Sequence, residues 1–467
     1  MSATLRQSGR GGLDEGANSP LGADGSSHVA PENVHEVLGR HLLLDGYPMV
    51  LDTAKSHGSW IVDARDGTQY LDFYTFFASS PLGLNPTGLA DDPGFMAKLA
   101  EIAANKPANS DFQTTQLAEF VETFTRVLGD PDLPHLFFIE GGALAVENAI
   151  KVAFDWKSRR NEAAGRSPEL GTAVLHLRYA FHGRSGYTLS LTNTDPVKVD
   201  RFPKFDWPRI SSPAITFPLS ENLASLEGLE AVAVAEATAA FEAHPHDIAC
   251  FVVEPIQAEG GDRHLRAEFL QAMQALCHRH EALFVLDEVQ TGCGVTGTPW
   301  CYQQLGLEPD VVAFAKKVQV GGLMAGRRVT EEPLNVFQVP SRINSTWSGN
   351  LTDMVRSTRL LELIESTGAI ANAAEVGAHL LERLHELQTE LPAVVSNARG
   401  RGLLAAIDLP SAEVRNDVLT SLRSTEHVLA LSCGERTLRF RPALSITTQE
   451  IDHGCDALGR VLRKLEA

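Results

Sequence analysis

The sequence predicts an α/β protein: a large domain on a mostly parallel, doubly wound sheet, followed by a smaller α+β domain. Three observations carry this. Short apolar runs recur without polar alternation, as strands buried on both faces require. Helical stretches separate them. From about Leu351 the pattern changes to long helices and then short strands.

Residues 1–28 are rich in Gly, Ser, Ala and Asp, lack the apolar stretch of a secretion signal, and read as a disordered tail. A helical pattern starts near Pro31. Residues 59–63 and 69–73 flank Ala-Arg-Asp-Gly-Thr and read as a hairpin. Buried strands are expected at His135–Ile139, Ala173–Leu177, Ile248–Val253, 283–286 and Val311–Phe314. A helix over 143–159 places Val146, Ala149, Ile150 and Ala153 on one face. Residues 192–218 form a long connection rich in Pro and aromatics, and such loops often carry function. The terminal part holds helices over 353–365 and 370–391 and strands near 402–407 and 437–440. The expected division is 29–85 as a segment joining the small domain, 86–350 as the large domain and 351–467 as the small domain.

With 59 acidic against 40 basic residues the net charge is -19, which disfavours nucleic acid and anionic membranes as partners. A few buried arginines still suffice for a small anionic substrate. No apolar run is long enough to span a membrane. The six cysteines are scattered with no Cys-x-x-Cys pair, which fits a reducing cytoplasm. Cys277-His278-Arg279-His280 lacks a second ligand pair at zinc spacing, so no metal site is expected.

In such a sheet, ligands bind beyond the carboxyl ends of the strands. Lys316 and Asp287 stand at two of those ends. A lysine and a carboxylate so placed are what pyridoxal phosphate needs, one to bind its aldehyde and one to keep its ring nitrogen protonated. Taken alone, those two residues fit a snorkelling lysine and a helix-capping aspartate better. Glu140-Gly141-Gly142-Ala143 opens a helix after a strand, either as a phosphate cup or as a tightly packed helix start. Phe181 and Arg184 follow another strand; one suits stacking on a flat ring and the other a carboxylate, or they are a core aromatic and a surface cation.

Together these motifs resemble the class III pyridoxal-phosphate aminotransferases, over roughly residues 30 to 465. The resemblance rests on Asp287-Glu288-Val289-Gln290-Thr291-Gly292, Phe314-Ala315-Lys316-Lys317, Phe181-His182-Gly183-Arg184, Glu254-Pro255-Ile256-Gln257 and Leu438-Arg439-Phe440-Arg441-Pro442. Residues 136–148, 181–194, 201–209 and Asn344-Ser345-Thr346-Trp347 resemble its lysine 6-aminotransferase branch. The resemblance implies fold type I, with a small domain built from both termini. It implies that Lys316 is the cofactor-binding lysine and acid/base and that Asp287 pairs with the ring nitrogen. Gly142 and Ala143 bind the phosphate, Phe181 stacks on the ring, and Gln290 lies near its phenolic oxygen. Thr346 reaches the partner subunit's cofactor, so a homodimer is the catalytic unit.

L-Lysine and 2-oxoglutarate are the implied substrates, with 2-aminoadipate 6-semialdehyde and glutamate as products of a ping-pong reaction. Arg184 binds the distal carboxylate, Arg439 the carboxylate beside the keto group, and Glu259 covers Arg439 while lysine is bound. Asn344 and Gln290 belong to the same substrate set. Ornithine or 4-aminobutyrate as donor, or a non-catalytic binding protein on the same fold, are the alternatives. Three positions depart from the family pattern: Ala315 and Ala258 where glycine is usual, and Ser348 in place of the first glycine of Trp-Gly-Gly-Asn.

Overall fold

Seven strands form the central sheet of the computed structural model, which describes residues 29–465. The tail expected over 1–28 lies outside the described residues. In chain order the strands are β1 (His135–Ile139), β2 (Ala173–Leu177), β3 (Arg209–Ile210), β4 (Ile248–Val253), β5 (Leu283–Asp287), β6 (Val311–Phe314) and β7 (Gly321–Ala325). Their spatial order is β1-β7-β6-β5-β4-β2-β3. Neighbours run parallel except at β7, which is antiparallel to both β6 and β1. β7 was not expected: Gly-Gly-Leu-Met-Ala is short and opens on two glycines, so it reads as loop.

The sheet is buried on both faces. Ile-Ala-Cys-Phe-Val-Val of β4 is buried at every position. Successive residues point to opposite sides. Cys250, Val252, Val285 and Ala313 join a cluster with Val146, Ile150, Ala153 and Trp156 of helix α1 (Gly142–Ala163). Phe251, Phe284 and Phe314 join the other cluster, where the Phe314 and Phe124 rings stand 4.9 Å apart. Each fully buried large apolar side chain is worth roughly 1.5–3 kcal/mol. This core is what makes the carboxyl edge of the sheet a rigid platform.

Two long helices follow, α2 (Leu351–Thr367) and α3 (Ala369–Glu390), and then a four-stranded antiparallel sheet. Its strands are β8 (Ser396–Arg401), β9 (Leu404–Asp408), β10 (Leu431–Cys433) and β11 (Thr437–Phe440), in the order β8-β9-β11-β10. The single strand expected near 402–407 is therefore corrected to two. Gly402 turns between them with φ +56, a left-handed conformation that favours glycine. The hairpin expected over 59–73 has strands Trp60–Val62 and Gln69–Asp72, tied by the Asp72 N–H to Ser59 O at 2.8 Å. Val428–Leu429 pairs parallel with Gln69–Asp72.

The described part of residues 1–52, with 62–68, forms a separate compact unit. There a 3-10 turn over Pro31–Asn33 runs into the helix Val34–Gly39, and Asp63 accepts from the Val50 N–H at 3.3 Å and from Arg65 at 2.6 Å. No helix of the described residues is long and apolar enough to cross a membrane.

Candidate active site

The carboxyl ends of β2, β4, β5 and β6 bring one amine and three polar partners together. β6 ends at Phe314, and Ala315 is extended at φ -169, so its methyl group costs nothing. Lys316 then turns left-handed at φ +48 and its Nζ donates to Phe77 O at 3.1 Å. Burial, reinforced by the Arg439 charge, lowers the Lys316 amine to about 8. Asp287, the last residue of β5, holds His182 Nδ1 at 2.8 Å through Oδ2 and accepts the Val289 N–H at 3.0 Å through Oδ1. A carboxylate needs a donor, so the imidazole proton sits on Nδ1.

Glu254, just past β4, accepts the Phe181 N–H at 2.9 Å. Burial first, then the nearby Asp287 charge, push its carboxyl well above the usual range. Burial thus favours the neutral form of Glu254. Beside it Glu288, raised to about 7 chiefly by burial, accepts from Thr291 and from the Cys301 and Tyr302 amides and so fixes the following turn.

The N-terminus of α1 faces the same edge. A Cβ built on Gly142 would lie 2.8 Å from Val289 Cγ1, and one on Gly183 would lie 2.6 Å from the Ala143 Cβ. The strand-end loops therefore close in around Gly142 and Ala143, and this corner of the site is closely packed. Glu147 accepts the Thr188 N–H at 3.0 Å and the Ser185 hydroxyl at 3.3 Å, which fixes the turn after Arg184 to α1.

A more charged cluster lies near Lys316, within electrostatic reach of its amine. Arg439 Nη2 donates to Glu259 Oε2 at 2.6 Å, and Lys198 Nζ pairs with the other oxygen, Oε1, at 2.5 Å. Burial alone raises the Glu259 carboxyl, but the Arg439 and Lys198 charges outweigh it and hold Glu259 below its usual value. Gln290 Oε1 accepts from Arg441 Nε at 3.0 Å and from Arg439 Nη1 at 3.5 Å. Arg441 also pairs with Asp262, and both are fully buried.

Of the residues expected from sequence, Lys316, Asp287 and Phe181 stand at the strand ends, Gln290, Glu259 and Arg439 belong to the charged cluster, and Gly142 and Ala143 form the packed corner. Arg184, Asn344 and Thr346 are exposed. Arg184 forms no hydrogen bond or ion pair with the other site residues. Asn344 Oδ1 accepts from the Ser345 N–H at 2.8 Å and from Ser348 Oγ at 3.2 Å, and Thr346 O accepts from Ser110 Oγ at 3.0 Å. Ser348 has φ +46, a strain offset by its bonds to Asn344 and Ser345. Ala258 is buried and outside the left-handed region.

Sequence reading missed Lys198, Asp262 and the segment behind Lys316. Thr75, Phe76, Phe77 and Ala78 have φ of 40, 53, 58 and 65, one turn of left-handed helix. Each such residue costs roughly 1–2 kcal/mol. The Phe77, Ala78 and Ser79 carbonyls accept in succession from Lys316 Nζ, Lys317 Nζ (2.9 Å) and Gln319 Nε2 (2.6 Å). Asp72 Oδ1 anchors the entry by accepting the Tyr74 and Thr75 amides at 2.7 and 2.9 Å. The turn thus aims three carbonyls at the loop that carries Lys316.

Lys317 is buried, and burial lowers its amine to about 7. Between that value and its unfolded value near 10.5 the unfolded chain holds a proton that the folded chain does not. Raising the pH through this window therefore favours the fold. The stability of wild type relative to Lys317→Met is expected to rise by about 1.4 kcal/mol per pH unit there. Denaturant titrations of both proteins from pH 7 to 10 check this.

The comparisons with known proteins decide the family. The class III aminotransferase profile matches residues 45–462. The chain belongs to the class III aminotransferases. It is 59% identical to the L-lysine-epsilon aminotransferase of Mycobacterium tuberculosis over 434 residues, 93% of this chain and 96% of that one. It is 55% identical to the enzyme of the same name from Amycolatopsis lactamdurans, over 96% of this chain and 98% of that one. The solved structure of the M. tuberculosis lysine aminotransferase superposes with a TM-score of 0.92 at 58% identity, covering 94% of this chain and all of that one. This aminotransferase is a pyridoxal-phosphate enzyme of fold type I. Its donor set fits that cofactor: a desolvated amine, a buried carboxylate oriented by His182, and a long helix N-terminus in a closely packed corner.

Proposed function

We propose that this aminotransferase moves the ε-amino group of L-lysine to 2-oxoglutarate, giving L-2-aminoadipate 6-semialdehyde and L-glutamate. The reading includes a ping-pong order, a cytoplasmic homodimer with shared active sites, and the domain division at residues 29–85, 86–350 and 351–467. The observation that carries it is the Arg439–Glu259 pair, whose two charges both act on the Lys316 amine. Two relatives more than half identical over nearly the whole chain bear the lysine aminotransferase name.

When bound, pyridoxal phosphate supplies an aldehyde for the donor amine and a ring that takes up the electron pair released at the reacting carbon. Gly142 and Ala143 would hold its phosphate at the N-terminus of α1, where the helix dipole favours an anion. Phe181 would cover a ring face. Asp287, held by His182 Nδ1 and the Val289 N–H, would keep the ring nitrogen protonated. Burial favours the neutral form of Glu254 beside it. Lys316 Nζ would be the acid/base of that exchange, taking up the proton from the amine-bearing carbon of lysine and giving it back. An amine near 8 is neutral often enough at cellular pH to do so.

Lysine brings a methylene to the reacting end and carries its carboxylate far away, where Arg184 receives it. Arg439 then has no substrate anion, and a buried guanidinium without a partner is costly. Glu259 fills that role. When 2-oxoglutarate arrives, its keto-side carboxylate takes Arg439, Glu259 withdraws, and the distal carboxylate meets Arg184. Thr346 acts across the dimer in this reading, and Asn344 belongs to the substrate set.

A half-reaction tests the assignment. Cofactor-loaded protein is mixed with one amine donor and no keto acid, and the cofactor's absorption is followed. L-Lysine is expected to convert the cofactor to its amine form, and 2-oxoglutarate to restore it. Conversion by ornithine or 4-aminobutyrate but not by lysine would overturn the substrate.

A further inference from the structure

The Arg439–Glu259 exchange leaves one energetic question that the chain itself answers. Glu259, which a keto-acid carboxylate would displace from Arg439, is about three-quarters buried where it stands, at 23% side-chain exposure. A carboxylate so placed without a cation is unfavourable, and that cost falls on the keto acid alone. Lys198 stands ready to meet it. Its Nζ is 2.5 Å from Glu259 Oε1, while Arg439 holds Oε2, so the carboxylate is shared with one oxygen for each cation. The lysine side chain is 17% exposed, and its ammonium lies 5.5 Å from the centroid of the Phe181 ring.

The long loop before β3 is built to hold Lys198 there. Asn193 ties the loop to the end of β2, accepting the Tyr179 N–H at 2.6 Å and donating to Leu177 O at 3.1 Å. Asp195 then caps the 3-10 turn Pro196–Lys198 by accepting the Val197 N–H at 3.0 Å. Lys204 Nζ donates to Val199 O at 2.7 Å just beyond it. The backbone on both sides of Lys198 is therefore fixed, and its position against Glu259 is set by the loop.

We propose that Lys198 is the positioning residue of the acceptor half-reaction, the cation that retains Glu259 after Arg439 lets it go. This rests on the lysine and 2-oxoglutarate reading above. With lysine bound, Glu259 touches both cations and loss of Lys198 leaves the Arg439 pair intact. With 2-oxoglutarate bound, Glu259 has Lys198 alone. Loss of Lys198 acts twice against the keto acid: Glu259 grips Arg439 as its sole partner, and its release strands a buried anion. Neither effect touches the donor.

The test compares wild type, Lys198→Met, Lys198→Gln, Lys198→Arg, Glu259→Gln and Lys198→Met/Glu259→Gln as cofactor-loaded enzymes, in each half-reaction separately. Lys198→Met and Lys198→Gln are expected to raise the 2-oxoglutarate concentration needed for half-maximal return by about 10- to 100-fold, with that for L-lysine changed less than about threefold. Lys198→Arg restores the acceptor step, because a guanidinium also pairs with Glu259. In the Glu259→Gln background, Lys198→Met has no further effect on the acceptor, since no anion is left to retain. Equal weakening of both half-reactions, no change in either, or a full Lys198→Met effect in the Glu259→Gln background would overturn the proposal while leaving the substrates in place. A wild-type enzyme that ignores lysine would overturn the substrate reading instead, and the proposal with it.

Discussion

Lys316→Ala is expected to lower transamination by about 10⁴-fold or more, because it removes both the covalent anchor of the cofactor and the acid/base that moves the substrate proton. No other amine replaces it. Lys317 is adjacent in sequence, but its Nζ is buried and donates to Ala78 O, one carbonyl further along the left-handed turn. Consecutive residues here send their amines to consecutive carbonyls, so neither side chain reaches the other's place. The fold is expected to survive, because Lys316 is desolvated and its removal relieves a buried cation at the cost of one hydrogen bond to Phe77 O. The measurement is single-turnover conversion of the cofactor by L-lysine, with and without a small primary amine in solution. Slow turnover rescued in part by the free amine is the expected result. More than about one percent of wild-type activity without rescue would overturn the role given to Lys316.

Much of this was legible in the sequence, for a physical reason. Strands covered on both faces have no polar alternation, so Ile-Ala-Cys-Phe-Val-Val and Val-Val-Ala-Phe announce themselves, and the groups at their carboxyl ends follow. Lys316 and Asp287 stood out because charged residues directly after such runs are forced to the sheet edge. β7 did not, since two glycines open it. The turn over Thr75–Ala78 carries no glycine or asparagine to signal positive φ. Its conformation is imposed by partners more than 230 residues away, Lys316, Lys317 and Gln319. Lys198 was hidden for a similar reason: in sequence it is one lysine in a loop, and only the fold sets it against Glu259. Arg184 shows the converse. Its motif marks it for a substrate carboxylate, yet its side chain is exposed, and the substrate that would engage it enters only in the proposed reaction.

Asp262→Asn is the substitution expected to cost most in stability. Arg441 and Asp262 are both at 0% exposure and stand 179 positions apart in the chain. Removing one member of a buried ion pair leaves the other charge without compensation, at a cost of about 3–5 kcal/mol. Asparagine tolerates the left-handed φ of +45 at this position, so the change isolates charge from backbone strain. Arg441 keeps the Phe440 carbonyl and Gln290 Oε1 as acceptors, but neither is an anion. A chain of this size unfolds with an entropy of about 1 kcal/mol/K, so the thermal midpoint is expected to fall by about 3–5 °C. Arg441→Met on top of Asp262→Asn should recover much of that loss, since a buried pair replaced whole is far less costly than a pair broken in half. Additive losses in the double variant would sink this account. The consequence reaches catalysis as well. Arg441 Nε holds Gln290 Oε1, and Gln290 is the residue proposed to face the ring's phenolic oxygen. In Arg441→Met that acceptor has only the long contact to Arg439 left. The double variant is therefore expected to be stable yet slower, which separates the role of the ion pair in the fold from its role in orienting the site.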